Sequence, residues 1–450
     1  MNRFGNFVER LREYASQRCV ENDSLSYTYA QMLEEMQHWQ SRFDELGVAP
    51  GVVVGMRTDY SFSAIAALLA LFARGAVAAL IPRDRDIARY LRDACTSVLL
   101  EFTVDGSYQW HSTPHPRSHP LIDRLRNAGE GGVVIFTSGS TGDPKAALQS
   151  VERFLYKFRK PGRRFRTLAF LLFDHVAGLD TVFYTLASGG SLILTRSRDP
   201  QSIVNLIESH KVEVLPCSPS FLRLLCANGN YSGNGLSSLK IISYGSEPMD
   251  PSTLARLNTR FPSTQISQKY GTTETGSPRS VSRASDSLWL KIKSDGVETK
   301  VVDGVLWMRG EGTILGYLNA PFPVDEYGWY CTGDLVDVDG EWIKFRGRAT
   351  DTINVGGEKV APAEVEQAIL ELDFVLDAIV SGEPHALMGE IVTARVVLAT
   401  AASDPKEAIQ RIRSHCRRRL ASYKVPVKIH IVAGGLVNER QKAQRMRISM

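Results

Sequence analysis

A run of twelve apolar or small residues, Phe62–Ala73, lies between two shorter apolar stretches, Val52–Met56 and Ala76–Ile81. The long run has the length of a buried helix and stops at Arg74, far short of the ~20 residues that span a bilayer. The flanking runs have strand length, and Pro82 closes the second. Strand, helix and strand in that order imply a parallel sheet with helices on its faces. The alternation returns in strand Leu168–Phe173, strand Ser191–Leu194, helix Pro200–His210, strand Val212–Leu215 and a helix from Ser220. The expected fold class is therefore α/β, with a large N-terminal domain of doubly wound sheets and helices. After a linker near Arg348–Asp351, the last hundred residues read as a small α+β unit. Its elements are helix Ala363–Leu372, strands Ala378–Ser381 and Ile391–Leu398, helix Pro405–Leu420 and a strand near Val427–Val432.

Near the N-terminus, Asn6–Arg18 reads as an amphipathic helix, and Thr28 as the N-cap of a second helix that ends at Gly47. His111, His115 and His119 are spaced by four, as a metal-binding helix would have them. Pro114, Pro116 and Pro120 forbid that helix, so Tyr108–Pro120 is read as a polar surface loop. Gly310–Gly316 is spaced GxGxxxG without a strand-to-helix pattern and is not a dinucleotide fingerprint.

Charge excludes some classes of function. The chain has 450 residues, 53 basic against 49 acidic, a net charge of +4. The last hundred residues hold 14 basic and 12 acidic side chains, so neither part is a charged arm for nucleic acid or membrane. The arginines of Pro405–Leu420 read as a solvated helix face. Six scattered cysteines without a CxxC pair argue against a zinc site or disulfide framework and for a cytoplasmic protein. The N-terminal residues lack the apolar core of a signal peptide.

Chemistry concentrates in a few stretches. Val133–Phe136 is an apolar strand, followed by Thr137, Ser138, Gly139, Ser140, Thr141 and Gly142, then Asp143-Pro144 and Lys145. Two glycines let successive N–H groups face one point, four hydroxyls add donors, and Lys145 adds a mobile cation. Such a loop suits a polyphosphate, although the Walker A spacing is absent. Asp174 and His175 follow a core strand, at the end where open α/β sheets bind ligands. Three further signatures follow: a strand ending in Gly245, Ser246, Glu247 and Pro248; QKYGTTETG, Gln268–Gly276; and GWYCTGDL, Gly328–Leu335.

In this order the motifs TSGSTGDPK, GSEP, YGTTE, YCTGDL and GRATDTINVGGEKVAPAEVE resemble the adenylate-forming superfamily. That superfamily includes acyl- and aryl-CoA synthetases, peptide-synthetase adenylation domains and luciferase. The resemblance implies a domain of residues 1–349 that binds ATP and acid, and a mobile domain of residues 350–450. It also implies a two-step reaction. A carboxylate attacks the α-phosphate of ATP, giving an acyl-adenylate and pyrophosphate. A thiol of coenzyme A, or of a carrier-protein phosphopantetheine, then displaces AMP. The residues it implies for the nucleotide are Thr137, Ser138, Ser140, Thr141 and Lys145 on the β- and γ-phosphates, and Thr273 on the α-phosphate. Glu274 would hold Mg²⁺. Gly245, Ser246, Glu247 and Pro248 would wall the adenine, with Tyr270 stacked on it and Gly271 and Thr272 beside it. Asp334 would meet the ribose, with Arg348 near. Asp174, His175, Gly178, Ser243, Tyr244 and Gly276 would line the acid pocket.

The same resemblance places Gly356 and Gly357 on the thiol tunnel and makes Lys442 the adenylating lysine. GGEK is the form associated with CoA ligases, so coenzyme A is the favoured acceptor, with an acyl carrier protein as the alternative. Two departures stand out: Thr350 at the hinge, and Asn438–Arg445, which keeps Lys442 and Arg445 but not the usual Thr and Gly. The altered tail keeps a catalytically silent nucleotide-binding relative as the reading of another class. No nucleic acid or membrane partner is expected, and the chain is expected to be a monomer or homodimer.

Overall fold

The computed structural model describes residues 2–83, 87–103, 107–113, 118–138, 143–227, 236–293, 296–399, 404–433 and 436. The Phe62–Ala73 run is a helix over those residues, with Ser61 as its N-cap, accepting a hydrogen bond from the Ala64 N–H. It is buried from Ala64 to Phe72 because apolar residues surround its whole circumference. Val53–Arg57 and Val77–Leu80 lie beside it as a parallel pair. They belong to a seven-stranded sheet with Val98–Phe102 and Gly132–Ser138, edged by antiparallel strands Pro144–Ser150, Gly316–Tyr317 and Tyr108–Ser112.

The second sheet also has seven strands. Its parallel part runs in the order Gln265–Gln268, Ile241–Tyr244, Val214–Cys217, Arg166–Ala169, Ser191–Leu194 and Arg18–Glu21, with Ser26–Thr28 antiparallel at the edge. A third sheet, six strands between Ser280 and Arg348, is wholly antiparallel. The turn Ala349–Asp351 leads from it to a fourth sheet with its own core around Val380, Val392, Ile412 and Cys416. Among the described residues, no helix is long and apolar enough to cross a membrane.

Several boundaries differ from expectation. The first helix is Arg3–Glu13, and Arg18 begins a strand instead. Tyr108–Ser112 is an edge strand paired with Val98–Phe102, not a loop; Tyr108, Gln109 and Trp110 alternate well enough to pair at a sheet edge. His119 accepts from the Leu121 N–H and caps helix Pro120–Ala128, and His115 lies outside the described residues. The strand expected at Leu168–Phe173 ends at Ala169, so Asp174 and His175 lie in the turn that leads to helix Val176–Ala187.

Candidate active site

The parallel strands of the second sheet end on one side, where Gly245 and Lys269 follow two of them directly. The loops there, the hairpin of the first sheet and Arg348 from the third sheet enclose a cavity of about 590 Å³. This is the carboxyl end of an open sheet, where helix N-termini and loops can reach a ligand.

Thr137 and Lys145 stand directly opposite each other in the hairpin formed by Gly132–Ser138 and Pro144–Ser150. Thr137 lines the cavity. The Ser138 side chain and Gly139, Ser140, Thr141 and Gly142 lie outside the described residues. The Lys145 ammonium sits 5.2 Å from the Tyr317 ring centroid, and the Tyr317 hydroxyl donates to Glu274 Oε1 at 2.6 Å. Burial and the Glu274 charge push the Tyr317 hydroxyl well above its usual pKa; the same two causes act on its hydrogen-bonded neighbour Tyr330. Tyr317 therefore stays protonated as the donor to Glu274. Sequence reasoning missed both tyrosines. Tyr330 sits inside the GWYCTGDL signature, which drew attention only for Asp334.

Asp334 and Arg348 are cross-strand partners in the third sheet. Asp334 Oδ2 accepts from the Tyr270 hydroxyl at 2.7 Å, and Oδ1 from Arg348 Nε at 3.2 Å. Burial raises the Asp334 pKa, and the Arg348 charge opposes it. Each oxygen keeps a second lone pair, so the carboxylate can still accept from a ligand hydroxyl. Tyr270 stacks on Phe345 with centroids 4.4 Å apart, which commits one face of its ring.

The QKYGTTETG turn is tight. Thr272 N–H donates to the Gly276 carbonyl at 3.1 Å, and a Cβ on Gly271 would stand 2.5 Å from that carbonyl. The turn points Gly271, Thr272, Thr273 and Glu274 into the cavity, while Gly276 packs near Gly312 and is not on the wall. Gly245 and Ser246 line the cavity, and Ser246 holds φ +71°, a strained value for a residue with a side chain. Glu247 and Pro248 do not line it: Glu247 turns outward and accepts from the Ser220 hydroxyl at 2.6 Å.

On the acid side, Ser243, Tyr244 and His175 are wall residues, and His175 is the N-cap position of helix Val176–Ala187. Asp174 and Gly178 are not on the wall. The Asp174 charge falls instead on Tyr60. Gly178 serves close packing, because a Cβ there would stand 1.9 Å from the Leu172 carbonyl oxygen. We therefore expect Gly178→Ala to cost about 1–3 kcal/mol, read as a lowered denaturation midpoint; a midpoint equal to wild type would contradict this packing.

Gly356 and Gly357 form the turn between Ile353–Val355 and Glu358–Val360. Gly356 N–H donates to the Met388 carbonyl at 2.8 Å, and neither glycine reaches the cavity. Lys442 lies outside the described residues. Among the described residues, no group of three or more His, Cys, Asp or Glu side chains could hold a metal ion. Glu274 lines the cavity next to Thr273. One carboxylate supplemented by ligand phosphates suits Mg²⁺, which keeps few protein ligands.

The model of the AMP-binding enzyme family matches residues 7–318, and that of the AMP-binding enzyme C-terminal domain matches residues 364–441. The chain belongs to this family, and with it to the adenylate-forming class of ATP-dependent, AMP-forming acid–thiol ligases. It is 25% identical over 443 residues to the 2-succinylbenzoate–CoA ligase of Enterococcus faecalis, covering 90% of each chain. Two solved structures share the fold. The anthranilate CoA ligase AuaEII bound to anthranoyl-AMP has a TM-score of 0.82 at 20% identity, covering 98% of this chain and 95% of that one. The amide bond synthetase McbA from Marinactinospora thermotolerans has 0.79 at 23% identity, covering 98% of both chains.

Proposed function

We propose that this enzyme activates a non-amino carboxylic acid with ATP, releases pyrophosphate, and passes the acyl group from the adenylate to coenzyme A. The observation that carries the reading is one cavity whose wall holds Thr137, Thr273 and Glu274 together with Arg348, the partner of Asp334. Attack on the α-phosphate gathers negative charge on oxygens, and a site that fixes donors and cations in advance stabilises that charge. In this reading Thr137, Lys145 and the following glycine loop hold the leaving phosphates. Thr273 meets the α-phosphate. Asp334 and Arg348 hold the ribose, and Gly245 and Ser246 border the adenine. Glu274 would hold a magnesium ion, which would supply charge neutralisation on the phosphates.

Tyr317 fixes the Glu274 carboxylate by its 2.6 Å hydrogen bond. Glu274→Gln should therefore raise the magnesium concentration needed for half-maximal turnover and slow adenylation by several kcal/mol of barrier at most. An unchanged magnesium requirement would place the ion elsewhere. In the second half-reaction the smaller unit, residues 350–450, turns about Thr350 and brings Gly356 and Gly357 to the thiol path. Supplying the acid, ATP and either coenzyme A or a holo carrier protein tests the acceptor: thioester formed with coenzyme A supports the reading, and thioester formed only on the carrier protein overturns that part of it.

A further inference from the structure

The acid side of the cavity carries charges that the proposed chemistry does not use. Helix Val176–Ala187 presents Ala177, Asp180, Thr181 and Tyr184 to the cavity, the i, i+3, i+4, i+7 stripe of one helix face. At 1.5 Å per residue this stripe runs about 10 Å along the wall. Asp180 is ion-paired with Lys157, whose side chain is only 8% exposed. The Lys157 ammonium also meets the Ser277 carbonyl and the Phe158 ring.

A second lysine joins them. Successive side chains of an extended segment point to opposite sides. After Gln268, Tyr270 turns to Asp334 while Lys269 turns to the Ser280 carbonyl, at 3.4 Å. Lys269 lines the same cavity and stands open to it. Among the described residues it makes no ion pair within 4.0 Å. Arg279 lines the cavity too and donates to the Lys157 carbonyl at 2.8 Å. The charged groups on this side are thus Lys157, Lys269 and Arg279 against Asp180. Burial pushes the Lys157 pKa down, and Asp180 opposes the shift. Cations gathered on a protein wall and outnumbering their carboxylate are stabilised by an anion arriving with the ligand.

We propose that the acid substrate carries a second carboxylate, and that Lys269 receives it while the Asp180–Lys157 pair holds the neighbouring wall in place. This rests on the adenylating reading above and specifies its substrate class: a dicarboxylic acid, one end activated and the other bound by Lys269.

The test is acid-dependent ATP–pyrophosphate exchange with matched pairs. The probes are straight-chain α,ω-diacids of three to eight carbons and benzene dicarboxylates, each beside its monoacid. The expected result is at least a tenfold higher kcat/KM for the best diacid than for its monoacid. Lys269→Met should erase that preference, chiefly through KM of the diacid, and Lys269→Arg should restore most of it. Exchange with monoacids and no diacid preference overturns the inference and leaves the adenylating reading standing. An equal loss for both acids in Lys269→Met overturns it too, by making the lysine structural. Exchange with no acid of either kind overturns both.

Discussion

Replacing Arg223 by alanine should destabilise the chain by about 3–5 kcal/mol, the cost of leaving buried carboxylates without their cation. Arg223 projects from helix Pro219–Ala227, and its side chain is 7% exposed. Nε donates to Asp377 Oδ1 at 2.9 Å, Nη1 lies 3.5 Å from Asp250 Oδ2, and Nη2 donates to the Ser220 hydroxyl at 2.9 Å. Asp377 stands on strand Val375–His385 of the fourth sheet, so one guanidinium ties that sheet to the second. Burial raises the Asp377 pKa, and Arg223 opposes the rise. Removing the cation takes away the opposing influence and leaves the penalty. Urea denaturation of the full chain measures the effect as a lowered midpoint. Adding Asp377→Asn should recover part of the loss, because it removes the orphaned charge. An unfolding free energy within about 1 kcal/mol of wild type for Arg223→Ala would mean that water reaches the pair. Because Ser220 also donates to Glu247, next to the cavity residue Ser246, the tie ends at a loop that lines the cavity.

Lys442→Ala should lower acyl-adenylate formation by on the order of 10²–10³, the usual effect of removing one preorganised group from a developing oxyanion. The motif spacing that keeps Lys442 and Arg445 is the basis for this. The matched C-terminal family model ends at residue 441, one residue before Lys442. Thioester formation from a preformed adenylate should change little, since the proposed role belongs to the first half-reaction alone. Single-turnover assays of each half-reaction separate the two. Equal loss in both would assign Lys442 a structural role.

What could be read from the residues depended on how local the physics was. Phe62–Ala73 and Pro200–His210 were legible to the residue. One is apolar all round, and the other opens with Asp199 as N-cap and proline at the first turn. The reading of the glycine loop as a phosphate-type turn rests on its composition alone, since Gly139–Gly142 lie outside the described residues. The antiparallel third sheet was not foreseen as a unit, since its short strands are defined only by partners far along the chain. The same holds for side chains. Tyr317 reaches Glu274 across 43 residues, and Arg223 reaches Asp377 across 154. Lys157 stands within a run of basic residues, and its ammonium is turned inward to Asp180. Gly178 was expected on the pocket wall, but the constraint that selects glycine there is the Leu172 carbonyl behind it.

In the function proposed above, a carboxylate is activated on ATP in this cavity. Carboxylate-dependent exchange of labelled pyrophosphate into ATP tests it most directly, because the exchange needs the adenylation step and its reversal and no acceptor. The expected exchange depends on an acid and on magnesium, and falls by on the order of 10² or more in Lys442→Ala. Nucleotide binding without exchange across a broad panel of mono- and dicarboxylic acids would contradict it and make the chain a silent relative of its family.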